Sequence, residues 1–481
     1  MFIYLHSRYK NNNYLFIFII IVILILINRG VIMDIEGYVK RCLNKNMSEN
    51  KIIEDGFKRI KEIKTEISDN LAKEFIKAVI SEVKTTNKYK EENDEKLKYL
   101  LDCENCGVKM GEIGGGSRGE GDFFIHKQIA KIIGSGTKCK NTIVDSVEQD
   151  DGGVVKADSK YTVVAIDGTH SRLSDFPFLA GFHVTRACLR DVFVMGAKPV
   201  ALISDIHLAD DGDVSKIFEF TSGICAISEA INVPLVAGST LRVGGDMVIG
   251  DRMVSAVGAI GVINDNLPTS RVRANVGDVI LMTEGSGGGT ISTTALYYGM
   301  FDVIYETLNI DFLKACKNLI DNDLLKYINV MTDVTNGGLR GDAFEISNTA
   351  NVSLHIYEDK VLNLINKKVL EMLNKLNIDP LGVSIDSLLI IVPKEHANII
   401  MEKTGAKIIG EVKEGNISYL IKDNNEKIPL IPEFREAAYT PVKKVVSKLK
   451  PSKEEFEKMK KKIEESTIKA IEKKEFIKKI L

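Results

Sequence analysis

Five aspartates stand where a hard cation could be shared with a phosphate. Asp150 and Asp151 precede Gly152-Gly153, and Asp167 closes the apolar run YTVVAI. Asp191 falls on the helical stretch that follows, and Asp333 lies in the turn Met331-Thr-Asp-Val-Thr-Asn-Gly-Gly338. Mg²⁺ takes one or two carboxylates and completes its shell with waters and phosphate oxygens, so dispersed aspartates at strand ends suit a metal–phosphate site. Any one of them alone would equally serve as a helix cap or turn residue. The stretch GEIGGGSRGEG (111–121) could bring backbone N–H groups close to an anion, with Gly115, Gly116, Ser117, Arg118 and Gly119 as the candidate cradle. It lacks the G-x-x-x-x-G-K-[ST] pattern of a P-loop. Gly287 and Gly288, in EGSGGGT after the strand GDVILMT, would open a helix whose N-terminus attracts anions. Cys103-Glu-Asn-Cys106 has metal-knuckle spacing but no second pair to complete four ligands. The histidines are scattered, with His126 and His183 the ones placed to face a site, and no G-x-S-x-G elbow occurs.

These residues need a scaffold, and the hydrophobic periodicity supplies one. The runs 161–166, 201–206, 234–238 and 253–263 predict strands, while the 3–4 spacing of Val184, Ala187, Cys188, Asp191, Val192 and Met195 predicts a helix. Ile217, Phe220, Ile224 and Ile227 predict another. A second α/β block runs from about Asn275 to Lys422, with helices near 311–327, 339–350 and 360–376 and strands near 352–357, 386–392 and 407–413. From Met33 to about Leu101 the chain is charged and nearly Gly-free, and it reads as two or three helices. After Pro441 it holds 14 Lys against 7 Glu and reads as a helix starting at Pro451-Ser452, with Phe456, Met459 and Ile463 as a narrow apolar stripe for its own protein or a twin.

The 481 residues carry a net charge of −2, which excludes a broadly basic nucleic-acid surface. Seven cysteines make no disulfide framework and point to a reducing, cytoplasmic setting. Residues 14–27 are an unbroken apolar run, short for a membrane span. Three readings stay open for it: a single-pass anchor, a cleaved signal, or a stretch upstream of a start at Met33.

Taken in order, several motifs resemble the aminoimidazole ribonucleotide synthetase-like (AIR synthase-related) superfamily, which also holds thiamine-phosphate kinase, selenophosphate synthetase and the hydrogenase-maturation dehydratase. They are Asp150-Asp-Gly-Gly-Val-Val, Ala165-Ile-Asp-Gly-Thr-His170, Leu189-Arg-Asp-Val-Phe-Val-Met-Gly-Ala-Lys-Pro199, Val236-Ala-Gly-Ser-Thr240 and Asp333-Val-Thr-Asn-Gly-Gly-Leu339 with Glu345. The resemblance implies an α+β chain with a two-domain AIR synthase-like fold. Its N-terminal sheet would pair across a homodimer, and its C-terminal half would be an α/β sandwich. An all-α N-terminal extension and a C-terminal helix flank the two domains. The expected bounds are 1–32 for the hydrophobic segment, 33–102 for the helical extension, 103–270 and 271–440 for the two domains, and 441–481 for the Lys/Glu helix.

The resemblance further implies ATP and Mg²⁺ between the domains, with γ-phosphate transfer to, or activation of, an oxygen on a small-molecule acceptor. By motif position Asp150, Asp151, Asp167, Asp191 and Asp333 are the metal candidates. Gly115, Gly116, Ser117, Arg118, Gly119, Asp167, Gly287 and Gly288 are the nucleotide candidates. Arg190 and Ser239 depart from the family pattern, and no cysteine ends the chain. Two alternatives accompany this reading: selenophosphate synthesis using Cys106, and a non-catalytic nucleotide-binding or assembly protein. No nucleic-acid partner is expected, and a membrane enters only if residues 14–27 are retained.

Overall fold

The computed structural model describes residues 34–480 apart from Glu104, Thr137, Lys138, Gln149, Asp265, Asn336 and Ala437. The hydrophobic segment therefore lies outside the described residues. Among the described residues no helix is long and apolar enough to cross a membrane. The described residues divide into two compact units: residues 34–98 with 207–213 and 241–252, and the rest.

In the first unit, helices α1 (Ile35–Asn44), α2 (Glu49–Ile63) and α3 (Asp69–Thr86) surround a core that includes Val39, Ile52, Ile60, Ile76, Val83 and Ile249. The buried positions of α3, namely Ala72, Ile76, Val79, Ile80 and Val83, recur at the 3–4 spacing that puts them on one face. Asp34 caps α1 by accepting from Gly37 N, and Ser68 caps α3 by accepting from Leu71 N. Lys64, at the end of α2, pairs with Asp210 and Asp211.

The second unit is built on two sheets. The first runs β1 (Thr142–Val144), β2 (Gly153–Ala157), β3 (Lys160–Gly168), β6 (Met253–Ile263), β4 (Lys198–Leu208), β5 (Leu235–Arg242) in spatial order. The long antiparallel pairing of β3 with β6, from Tyr161↔Ile263 to Gly168↔Ala256, sets where Asp167 emerges. Helix α4 (Glu120–Gly134) precedes this sheet in the chain. Helices α5 (Pro177–Val194) and α6 (Ser215–Ile231) cross so closely that two glycines are required. A Cβ on Gly181 would lie 2.1 Å from Phe220 O, and one on Gly223 would lie 2.2 Å from Phe178 O. Helix α5 packs against β3 and β6 on one side and β8 on the other, so it is buried nearly all round.

The second sheet has seven strands in the order β13 (Lys427–Pro429), β12 (Tyr419–Ile421), β9 (Val352–Tyr357), β11 (Lys407–Glu414), β7 (Val279–Met282), β10 (Ser387–Val392), β8 (Val330–Val334). Every residue of β7, β8 and β10 is buried, β7 as a continuous apolar run and β8 with Thr332 and Asp333 buried among apolar neighbours. Helices α7 (Gly289–Tyr298), α8 (Asp311–Asp321), α9 (Gly338–Ala350), α10 (Lys367–Lys375) and α11 (Ala397–Thr404) accompany it, and short α12 (Pro441–Val446) follows the last strand.

The terminal helix α13 (Lys453–Lys478) is capped as its sequence predicts, with Ser452 and Glu455 forming a reciprocal capping box. Its apolar stripe lies on this same chain: Phe456, Met459 and Ile463 pack with Ile113, Ile125 and Phe434. Two sheets with helices, a helical N-terminal region and a C-terminal helix make the α+β architecture expected above.

Candidate active site

A cleft of about 480 Å³ in the second unit collects residues from widely separated segments of the chain. Asp150 and Asp151 enter from the turn before β2, Asp167 from the end of β3, and Asp191 with Arg190 from α5. Asp333 comes from β8 and Asp386 from the turn before β10. All five predicted metal aspartates thus border one cavity.

Their surroundings differ. Asp150 accepts from Ser270 Oγ (2.6 Å) and Arg271 N (2.9 Å). Asp151 accepts from Arg271 Nη2 (2.7 Å) and Thr332 Oγ1 (2.8 Å). Arg190 donates from Nε to Asp333 (2.9 Å) and from Nη1 to Asp386, which also accepts from Arg186 Nη2 at 3.3 Å. Burial raises the Asp386 pKa, but Arg190 and Arg186 more than offset it and hold it below the usual value. Burial likewise works against the charge of Arg190, yet Asp386, Asp333, Asp191 and Asp167 together push its pKa up.

Asp167 and Asp191 have less compensation. Burial raises both, and the charges of Asp167, Asp333 and Asp151 push Asp191 well above the usual carboxylate range. Asp150 and Asp333 are also raised, chiefly by burial. Crowded, desolvated carboxylates of this kind favour a bound cation or a proton. Among the described residues no three His, Cys, Asp or Glu side chains stand close enough to hold a metal by themselves. Mg²⁺ requires only one or two carboxylates when phosphate oxygens and water complete its shell, so this donor set fits it.

On another side the cavity is polar but uncharged. His183 is buried, bonds Ser292 Oγ through Nε2 at 2.8 Å and leaves Nδ1 without a partner. Burial, then the nearby Arg186, lowers its pKa to about 3. His170 bonds Tyr439 OH through Nε2, and burial followed by Lys443 and Arg172 lowers its pKa to about 4. Both imidazoles are neutral at ordinary pH. His126 also borders the cavity, near its mouth.

The glycine-rich candidates are placed differently. Of residues 115–119 only Arg118 lines the cavity. Gly116 N and Arg118 N donate to the two oxygens of Asp122, at 2.7 and 2.8 Å, so these N–H groups already hold a carboxylate. Gly119 is pressed against the segment at Glu433, where an added Cβ would come within 2.4 Å of two carbonyl oxygens. Gly115, Gly116, Ser117 and Gly119 therefore brace the loop that carries Arg118. Gly287 and Gly288 stand against the 385–386 turn, where a Cβ on Gly288 would meet Asp386 Oδ2 at 2.3 Å, and it is Gly289 that reaches the cavity. Cys106 does not line the cavity, and its thiol donates to Val108 O.

Arg271 and Asp386 were not singled out by the sequence. Arg271 ties Asp151, Asp342 and Glu345 together, yet it sits in an unremarkable Ser-Arg-Val-Arg stretch. The one local signal for Asp386 is a lone acid immediately before an apolar strand.

Comparison with known proteins follows the same architecture. The family model for the AIR synthase related protein N-terminal domain matches residues 149–263, and that for the C-terminal domain matches 275–423. An uncharacterized protein of Methanocaldococcus jannaschii is 67% identical over 450 residues, spanning 94% of this chain and 98% of its own. The thiamine-monophosphate kinase of that organism is 27% identical over 54% of this chain and 82% of the kinase. A selenide, water dikinase of Nitrosomonas eutropha is 25% identical over 44% of this chain and 60% of its own. Among solved structures, a HypE–HypF complex superposes with a TM-score of 0.51 at 18% identity, covering 63% of this chain and 99% of that one. AaThiL complexed with AMPPCP and TMP gives 0.50 at 19% identity, covering 66% and 96%.

Proposed function

The chain belongs to the AIR synthase related family, and from that premise we propose that it is an ATP- and Mg²⁺-dependent enzyme acting on an oxygen of a small-molecule acceptor. The observation that carries this reading is the meeting of Asp150, Asp151, Asp167, Asp191 and Asp333 with Arg118 around one cavity. Two relatives are kinases by name, and one similar structure holds AMPPCP, an ATP analogue.

In this reading Asp167 and Asp191, with Asp150 and Asp151 beside them, would hold Mg²⁺. Mg²⁺ bound there would neutralise charge on the phosphate oxygens. Arg118 offers guanidinium donors to the same oxygens. Arg190 and Arg271 hold their carboxylate partners in position, so positioning and charge neutralisation do most of the work. The acceptor oxygen bonds to the γ-phosphorus as the bond to the β,γ-bridging oxygen breaks. ADP leaves, and the acceptor's proton passes to water. The neutral His170 and His183 with Gly289 and Thr290 form the uncharged wall against which an acceptor would rest.

A homodimer belongs to the proposal. Val164, Ile166, Ile203 and Val254 are exposed on one face of the first sheet. Gly258, opposite Ile166, brings Ile203 onto that face. Apolar residues grouped this way suit a second copy of the chain, and Ile166 also borders the cavity.

Calorimetric titration of ATP with and without Mg²⁺ tests the reading. Metal-dependent binding that is lost in Asp191→Asn, with the fold intact by circular dichroism, supports it. Absence of ATP binding in the parent rejects it.

A further inference from the structure

A second pocket, about 410 Å³, lies in the C-terminal part of the second unit and has no role in the reading above. It is lined by five cationic side chains, Arg340, Arg435, Lys444, Lys448 and Lys450, and by three acidic ones, Asp379, Glu433 and Glu436. The acids are unevenly shared. Arg340 takes both oxygens of Glu436, at 3.1 and 2.9 Å, and also pairs with Asp379. That leaves Glu433 as the remaining carboxylate against four cations.

None of those four is neutralised by an acid among the described residues. Arg435 donates from Nη2 to Gly111 O, and its Nε is buried without a hydrogen-bond partner. Lys444 donates to Leu376 O, whereas Lys448 and Lys450 are exposed at the rim after α12. Most of the cationic wall comes from residues 435–450, beyond residue 423 where the family match ends.

We propose that this pocket binds a small phosphate-bearing molecule, with Arg435, Lys444, Lys448 and Lys450 as its anion-holding groups. A concave site of a few hundred cubic ångströms suits a small ligand rather than a polymer. Guanidinium and ammonium groups without carboxylate partners favour a multiply charged anion such as a phosphate ester or pyrophosphate.

Equilibrium dialysis of labelled pyrophosphate against the full chain provides the test, with saturating AMPPCP and Mg²⁺ present to occupy the larger cavity. The parent protein should bind, and Lys448→Glu/Lys450→Glu should weaken binding on the order of tenfold or more. Lys453→Glu/Lys461→Glu, an equal charge change on the exposed face of α13, should leave it within about twofold. Three results would overturn the proposal: no binding by the parent, equal loss in both double variants, or loss in Arg118→Ala with none in the Lys448/Lys450 variant. Binding of anionic phosphatidylglycerol vesicles in place of pyrophosphate would overturn it too, assigning the patch to a membrane surface. The outcome does not depend on ATP turnover, so failure of the ATP reading leaves it distinguishable.

Discussion

The aspartates around the main cavity and the glycine-rich segment 111–121 carry the same kind of sequence promise, and the fold treats them in opposite ways. The aspartates sit on β3, α5 and β8 or the turns beside them, and rigid elements bring them to one cavity from far apart in the chain. The glycine-rich segment is a loop whose anion-seeking N–H groups are met by Asp122, six residues from Gly116 and four from Arg118. Side chains on regular elements inherit a direction from the backbone. Loop N–H groups bond whatever acceptor the surrounding packing leaves nearby.

The contrast can be broken most forcefully at Arg190. Replacing it by Met leaves Asp333 and Asp386 buried without their shared cation, and should cost about 3–5 kcal/mol in chemical denaturation. A loss below about 1 kcal/mol would show that the carboxylates are not held by this pairing. Asp122→Ala comes next. It strands the Gly116 and Arg118 N–H groups and should cost about 1–3 kcal/mol, while changing ATP affinity less than Asp191→Asn does. The reverse ranking in ATP titrations would make the glycine-rich loop, rather than the aspartates, the principal nucleotide contact.

Asp191→Asn should behave unlike both, raising stability by on the order of 1 kcal/mol near neutral pH because it removes a crowded buried charge. The sign follows from linkage. Burial and Asp167 raise the folded-state pKa of Asp191, so the parent takes up a proton more readily folded than unfolded and gains stability as pH falls. The variant's advantage should therefore shrink on acidification, and a growing advantage would contradict the assignment.

His183→Gln should show the opposite trend with pH. The folded pKa of His183 is about 3, below the ordinary value of 6.5. Its contribution is full above about pH 6.5 and is lost progressively as pH falls toward the folded value. Melting curves between pH 7 and pH 4 should show the variant gaining on the parent in acid. Parallel curves would mean that His183 is accessible to protons in the folded protein.

Much of the scaffold was legible because its signals are local. The strand read at 161–166 is the middle of β3, that at 253–263 coincides with β6, and that at 352–357 coincides with β9. The helix read near 311–327 ends earlier, at Asp321, and a short turn of 3₁₀ helix follows at Leu325–Tyr327. That near 360–376 is split into Glu358–Leu362 and α10, with Asn366 capping the second piece. For the Lys/Glu helix the sequence supplied the start, while its choice between its own chain and a twin waited on Phe434 and Ile113 being nearby.

By itself the sequence determined the element types, the capping of the terminal helix and the set of aspartates worth watching, because periodicity, caps and turn residues act over a few positions. Only the tertiary structure decided that Arg190 would clasp Asp333 and Asp386 across the two halves of the second unit. It also decided that Arg271 would join Asp151 to Glu345 and that Asp122 would take the glycine-rich N–H groups. Those pairings depend on which buried charges lack water and must find each other, a condition set by packing rather than by spacing along the chain.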